Sequence, residues 1–159
     1  MEYIRMQKYS NDCGRAVVCS VLGLLGYKYS YHKIENCKNF YLMQRQFEKY
    51  NIKTKGYYGK IIQPLCICQV KKFNHLHFIV VYQCDKRNIR YYSPTNFLVK
   101  KMSYKKFYKM YTGYFLTIET NQNFCRYRLH IFSLSYNVKL IIFDLFLLII
   151  IYNLIINMI

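Results

Sequence analysis

The segment Gln-Lys-Tyr-Ser-Asn-Asp-Cys-Gly-Arg-Ala, residues 7–16, places a cysteine at the start of an apolar stretch and a glutamine six positions ahead of it. Asp12 can cap a helix that begins at Cys13, and Gly26 can end it, so we predict a largely buried helix between them. The positive end of a helix dipole lowers the pKa of a thiol at the first helical position. This segment therefore predicts a reactive thiol with an amide donor, Gln7, close by.

Nucleophilic attack by a thiol on a peptide bond also needs a proton carrier. His77 lies near the start of a very apolar predicted strand and is our candidate for the general base. His75 lies two residues earlier, on the same face of that strand, and is the alternative. His32 and His130 lie in less persuasive contexts.

The same reaction needs donors for the oxyanion that forms on the carbonyl oxygen. The backbone N–H of Cys13 and the side-chain amide of Gln7 can together supply them, because a neutral amide donor suits a position just before the helix. The charge of Asp12 opposes ionisation of the thiol unless capping engages the carboxylate.

The net charge of +17 limits the classes of partner. Residues 1–120 carry 21 of the 24 basic side chains and 6 of the 7 acidic ones, so the N-terminal part holds nearly all the excess. The basic residues are scattered singly or in pairs, without an Arg-rich tract or zinc-finger spacing, so we predict no nucleic-acid partner. An acidic peptide or an anionic membrane surface remains as the partner of such a domain.

Seven cysteines, an odd number, and the lack of an N-terminal signal peptide favour reduced thiols in a cytosolic domain. Cys66 and Cys68 lie in an apolar run, where two-residue spacing on a strand points both thiols to one face. No second Cys/His pair at zinc spacing accompanies them, so we interpret them as buried core residues and predict no metal and no cofactor.

The remaining elements predict an α+β fold, because helices come first and an antiparallel sheet follows. We predict helices over 42–51 and 103–112, and strands over 52–58, 64–70, 76–83, 89–92 and 114–118.

After Glu119 the composition changes, and residues 138–159 are almost wholly apolar. A run of about 20 apolar residues is long enough to cross the hydrocarbon core of a bilayer, although Asp144 interrupts this one. We therefore predict three parts: a domain over 1–120, a linker over 121–137 and a transmembrane segment over 138–159. The positive-inside rule then places the basic domain on the cytoplasmic side of the membrane. The alternative for the last part is a buried tail.

The arrangement Gln-x4-Asp-Cys-Gly-x-Ala resembles the C39 peptidase family, the papain-like domains found at the N-termini of bacteriocin-exporting ABC transporters. The resemblance runs from about residue 3 to residue 119. It also includes, in order, Leu25-Gly26-Tyr27, Pro64, His77-Phe78-Ile79-Val80-Val81, Tyr92-Ser93-Pro94 and Tyr111-Thr112-Gly113-Tyr114-Phe115-Leu116-Thr117.

The resemblance implies a cysteine peptidase that cleaves precursor peptides after a double-glycine leader on the cytosolic face, coupled to export. It implies Cys13 as the nucleophile, His77 as the general base and Gln7 as the oxyanion donor. The implied partners are a precursor with a double-glycine leader, an export ABC transporter or its ATPase subunit, and the membrane.

The chain departs from the family pattern where the family has Asp-Pro and this sequence has Ser93-Pro94. The aspartate orients the histidine and favours the imidazolium. Serine can accept a hydrogen bond but brings no charge, and Asn96 is near enough in sequence to act as a substitute. The segment between Cys37 and Leu42 is also shorter than in the family.

Three hypotheses follow. The first is an active peptidase for double-glycine leaders, and the second is a catalytically impaired domain that binds leaders without cutting them. The third is an unrelated basic, membrane-associated or nucleic-acid-associated protein. The apolar tail resembles the first membrane helix of the exporters, but the sequence has no Gly-x4-Gly-Lys-Ser/Thr loop for ATP. We therefore expect a truncated gene product, a split component or a membrane-tethered protease rather than a complete exporter.

Overall fold

The structure is a computed structural model, and it describes residues 6–9, 11–60, 64–72, 75–95 and 99–119. The chain divides into two units, Met1–Asn121 and Gln122–Ile159, and every described residue belongs to the first. The predicted linker and transmembrane segment lie outside the described residues, so both stay predictions. In the described part, no helix is long and apolar enough to cross a bilayer.

The first long helix, α1, spans Cys13–Leu25 and is buried along most of its length, as predicted. Gly26 ends it in the left-handed conformation with φ 85°, and its N–H donates to the carbonyl of Gly23. The prediction for its other end is wrong in one respect, because the Asp12 side chain makes no capping hydrogen bond to α1. That carboxylate points back to the preceding loop, where it accepts the N–H groups of Lys8 and Tyr9.

The second helix, α2, spans Phe40–Glu48, two residues earlier than predicted at its start. The Oδ1 atom of Asn39 accepts the N–H of Leu42 at 2.9 Å and so caps the helix. Before α2, a short 3-10 helix covers Tyr31–Lys33. After α2, the N–H of Ile52 donates to the carbonyl of Phe47, so the next strand begins later than position 52.

Six antiparallel strands form one sheet in the order β1-β6-β2-β3-β4-β5, which confirms the α+β class. The strands are β1 Thr54–Tyr58, β2 Cys66–Lys72, β3 His75–Cys84, β4 Asn88–Tyr92, β5 Val99–Ser103 and β6 Tyr111–Ile118. Strand β5 was not predicted, because its sequence Val-Lys-Lys-Met-Ser carries few apolar residues at the sheet edge. The third helix, α3, covers Tyr104–Tyr108 and is shorter than predicted, since Tyr111 already pairs with Val70 as part of β6.

Helices cover both faces of the sheet. On one face, Phe107 of α3 belongs to a cluster of alternating strand residues that comprises Cys66, Cys68, Val70, Ile79, Val81, Ile89, Tyr91 and Phe115. The Sγ atoms of Cys66 and Cys68 lie 3.6 Å apart, which confirms that both thiols point to one face. On the other face, the ring of Phe78 contacts that of Phe40 in α2. Helix α1 packs against β3, so its first residue lies beside the strand that carries His77.

A close backbone approach at Gly14 holds the start of α1 in place. Gly14 is buried, and a Cβ atom added to it would overlap the carbonyl oxygen of Cys37 and lie 3.1 Å from Met43 Cε. A glycine directly after Cys13 therefore lets the segment before α2 pass across the first turn of α1.

We predict that Gly14→Ala lowers the free energy of unfolding by about 1–3 kcal/mol, because a rigid backbone carbonyl must move to admit the methyl group. Without that contact, alanine would stabilise a helix by up to about 1 kcal/mol relative to glycine. Gly56→Ala is the matched control, since a Cβ atom at that position meets nothing within 4 Å. Urea unfolding of both variants measures the difference, and equal stabilities would contradict the prediction.

Candidate active site

Cys13 is the first residue of α1 and is partly buried against β3. The backbone N–H of Phe78, the residue that follows His77 in β3, acts to lower the pKa of its thiol. The N–H groups of Gly14 and of Cys13 itself act in the same direction. The fold therefore brings the start of the first helix to the strand position next to the predicted base.

His77 lies in β3, and its ring is held from the end of the neighbouring strand. Its Nε2 atom is 3.2 Å from the Oγ atom of Ser93, the buried residue that follows β4. Ser93 Oγ is in turn 2.8 Å from Thr95 Oγ1. Ser93 Oγ can thus accept a hydrogen bond from Nε2–H while its own hydroxyl donates to Thr95 Oγ1, which leaves Nδ1 as the other ring nitrogen.

The other candidate histidines differ from His77 in their surroundings. His75 is the exposed first residue of β3 and pairs with Lys72 of β2. His32 is exposed in the 3-10 helix, with its ring against that of Tyr31. His130 and Asn96, the predicted substitute for Ser93, lie outside the described residues.

Gln7 reaches the same region from the N-terminal segment. Its backbone N–H donates to the carbonyl oxygen of Pro94 at 3.0 Å, directly after Ser93. Within the described part of the chain, its buried Oε1 atom has no hydrogen-bond partner. The predicted residues Gln7, Cys13, His77 and Ser93 are thus linked through neighbouring backbone and side-chain contacts, although they come from three separate parts of the sequence.

Burial sets the protonation of the two reactive groups. It raises the pKa of the Cys13 thiol above its usual range; the N–H groups of Phe78 and Gly14 oppose this, whereas the charge of Asp12 adds to it. The expected lowering of this pKa is therefore wrong, because desolvation outweighs the helix terminus. Burial, followed by the charge of Lys72, lowers the pKa of His77 to about 4. At neutral pH the resting pair is a thiol and a neutral imidazole.

Two residues near the site escaped the sequence analysis. Thr95 contacts Ser93, and the hydroxyl of Tyr31 donates to the carboxylate of Asp12 at 2.6 Å. Nothing in the sequence pattern around Tyr31 distinguishes it from the other 18 tyrosines, so no local signal identifies it.

A thiol at the start of a helix that packs against a strand carrying an imidazole, within an antiparallel α+β domain, is the arrangement of a cysteine-peptidase fold. The Peptidase C39 family model matches residues 1–123, and the chain belongs to this family, whose members are cysteine peptidases. The family resemblance seen in the sequence is therefore confirmed.

Individual relatives agree with this assignment. The chain is 26% identical over 137 residues to the lacticin-481/lactococcin-DR transport/processing ATP-binding protein of Lactococcus lactis subsp. lactis, a match that covers 77% of this chain and 20% of that protein. This chain thus spans about a fifth of the length of that relative.

Solved structures share the fold. The peptidase domain of Streptococcus ComA, a bifunctional ABC transporter involved in quorum sensing, superposes with a TM-score of 0.64 at 20% identity, covering 74% of this chain and 98% of that one. A double-glycine-motif protease from an AMS/PCAT transporter, solved in complex with the leader peptide, also gives 0.64 at 20% identity, over 74% of this chain and 91% of that one.

The two pKa directions predict how the thiol reacts with a small alkylating agent. A thiolate–imidazolium pair is populated at pH values above the pKa of Cys13 and below the pKa of His77. Here the pKa of His77 is the lower of the two, so there is no such pH range. We therefore expect alkylation of Cys13 by iodoacetamide to accelerate as pH rises past 9. The rate in a Cys13→Ala variant, which reports the other cysteines, is subtracted. A reactive plateau between about pH 5 and 8 would contradict this prediction.

Proposed function

We propose that this chain is a cysteine peptidase that cleaves precursor peptides after a double-glycine leader. The single observation that supports the proposal is the effect of the Phe78 N–H on the Cys13 thiol, because Phe78 directly follows His77 in β3. Membership of the C39 family supports the class of reaction. The leader substrate rests on the double-glycine protease that shares this fold.

In the proposed reaction, His77 Nδ1 takes the proton of the Cys13 thiol as the sulfur attacks the scissile carbonyl carbon. The low pKa of His77 keeps the imidazole neutral at pH 7, so it can act as a base. The imidazolium then gives its proton to the departing amine nitrogen, and a thioester remains. Water attacks that thioester with His77 again as the base, which releases the leader and restores the thiol.

Gln7 and the backbone N–H of Cys13 are the proposed donors to the oxyanion. Among the described residues, no hydrogen bond engages the buried Oε1 of Gln7. A preformed donor of this kind contributes on the order of 10²–10³-fold to the rate in related chemistry. Ser93 orients His77 through Nε2, and Asn96 remains a proposed substitute.

Ser93 also favours a second candidate function, which is leader binding without cleavage. The imidazole lacks a negative partner among its described contacts, and its pKa of about 4 makes the imidazolium costly. The excess of basic residues in positions 1–120 suits an acidic leader in either function. We further propose that the domain works on the cytoplasmic side of a membrane, held by residues 138–159, together with an export transporter or its ATPase subunit.

The test is to incubate the full chain, purified in detergent, with a synthetic double-glycine leader peptide and to follow the products by mass spectrometry. Cleavage directly after the second glycine by the wild-type chain, absent in Cys13→Ala, is the expected result. Binding of the leader to both proteins with no product from either would support the second function. No binding and no cleavage would contradict both.

A further inference from the structure

Asp12 carries a buried carboxylate that the proposed reaction does not use. Asp12 is 1% exposed, whereas the other four acidic residues of the described part are all exposed: Glu35, Glu48, Asp85 and Glu119. A buried carboxylate is tolerated only where donors compensate for the lost water. The donors that contact the Asp12 carboxylate therefore indicate its role.

Three donors converge on Asp12, and two of them come from the segment that follows Gln7. Oδ1 accepts the N–H of Tyr9 at 3.1 Å, and Oδ2 accepts the N–H of Lys8 at 3.3 Å. The Tyr31 hydroxyl donates to Oδ2 at 2.6 Å. Since no capping bond to α1 forms, the carboxylate binds the preceding loop and the 3-10 helix rather than the helix that it precedes.

Tyr31 is well suited to be a lasting donor. Its ring is buried, with Lys8 Nζ 5.2 Å and Arg15 Cζ 5.5 Å from the centroid, so two cations flank it. Burial, and then the hydrogen bond to Asp12, raise the pKa of the Tyr31 hydroxyl, so the hydroxyl keeps its proton throughout the neutral range.

The consequence falls on Gln7, which lies in a segment without helix or strand. Its own N–H is bound by Pro94, and the next two N–H groups along the chain are bound by Asp12. We propose that Asp12, locked by Tyr31, is a positioning residue that holds the carboxamide of Gln7 beside Cys13. This inference rests on the proposed function, in which Gln7 binds the oxyanion.

The position of Asp12 has a chemical cost that helps to separate this role from others. The negative charge next to Cys13 opposes ionisation of the thiol. Removing the charge should therefore help the thiol and, if Asp12 positions Gln7, harm peptide cleavage. Opposite effects on these two reactions would show that the thiol stays reactive and that cleavage fails for another reason, and the amide exchange of Lys8 and Tyr9 with the Gln7→Ala combination identifies that reason.

The experiment compares Asp12→Asn and Tyr31→Phe with the control Tyr9→Phe, whose side chain is 66% exposed in the same segment. Leader cleavage, iodoacetamide alkylation of Cys13 and hydrogen exchange of the Lys8 and Tyr9 amides are measured on the full chain. For Asp12→Asn we expect kcat to fall about tenfold or more, since an oxyanion donor is misplaced, while alkylation at pH 8 becomes faster. Tyr31→Phe should lower kcat with alkylation nearly unchanged, and it serves as the test if Asp12→Asn fails to fold.

Both variants should speed amide exchange at Lys8 and Tyr9, and the control should not. Combining either variant with Gln7→Ala should lower kcat no further than Gln7→Ala alone, because both substitutions act through the Gln7 carboxamide. Multiplicative losses, an unchanged kcat, or unchanged amide exchange would overturn the inference. A wild-type chain that does not cut would refute the proposed function instead, and the exchange data would still decide whether Asp12 anchors the segment.

Discussion

Replacing His77 with alanine is expected to lower kcat for leader cleavage by about 10²–10⁴-fold, the usual contribution of a general base. Without the imidazole, the Cys13 proton has no acceptor, and the raised pKa of the thiol leaves little thiolate at pH 7. The measurement is the initial rate of product formation by the full chain at saturating leader, corrected for the rate of Cys13→Ala.

His75→Ala is the matched control, because the two histidines lie two residues apart on one strand. His75 is exposed at the first position of β3, whereas His77 contacts Ser93. We expect His75→Ala to keep kcat within about threefold of the wild-type value, as for a surface substitution. A large loss in His75→Ala with a normal rate in His77→Ala would move the base to His75.

The sequence predicted the site mainly where one segment carries several functions at once. Gln7, Cys13 and Gly14 lie within eight residues. Gln7 and Cys13 have separate proposed roles, and Gly14 leaves room for the carbonyl oxygen of Cys37. Helix α1 was predictable because Gly26 can adopt the left-handed conformation that ends it. Strand β3 was predictable because a run of apolar residues at this length favours a central strand.

The remaining features depend on contacts between distant segments. The role of Asp12 was predicted as a helix cap, which is the common use of aspartate before a helix, yet Tyr31 lies 19 residues away and provides a better-buried donor. The predicted lowering of the Cys13 pKa was wrong for a similar reason. The helix terminus is visible in the sequence, but the depth at which β3 buries the thiol is not.

Ser93 lies where the family resemblance leads us to expect an aspartate, and Ser93→Asp tests what a carboxylate at this position does. A carboxylate at this position would lie against Nε2 of His77, where Ser93 Oγ now lies at 3.2 Å. It would favour the imidazolium and raise the pKa of His77 well above its present value of about 4. The raised pKa would in turn stabilise a thiolate at Cys13.

We expect Ser93→Asp to increase kcat/KM for leader cleavage at pH 7 on the order of 10- to 100-fold, which is part of the effect of an orienting carboxylate in serine proteases. Ser93→Asn is the control, because asparagine has the same shape as aspartate and can orient the His77 ring without adding a charge. A gain in Ser93→Asp alone would assign the deficit to charge, and equal gains would assign it to orientation. The pH dependence of kcat/KM and the NMR titration of His77 measure the two contributions separately.

The burial of Ser93 means that Ser93→Asp should also change how the stability of the domain depends on pH. Ser93 is 6% exposed, so an aspartate there would be buried and costly unless it pairs with a protonated His77. The variant should therefore gain stability relative to wild type as pH falls from 7 toward 5, since the folded state now binds the proton that the wild-type imidazole rejects. A raised His77 pKa with an unchanged rate would contradict the expected gain and show that proton affinity does not limit this site. In that case Thr95, which already contacts Ser93, is the next group to replace.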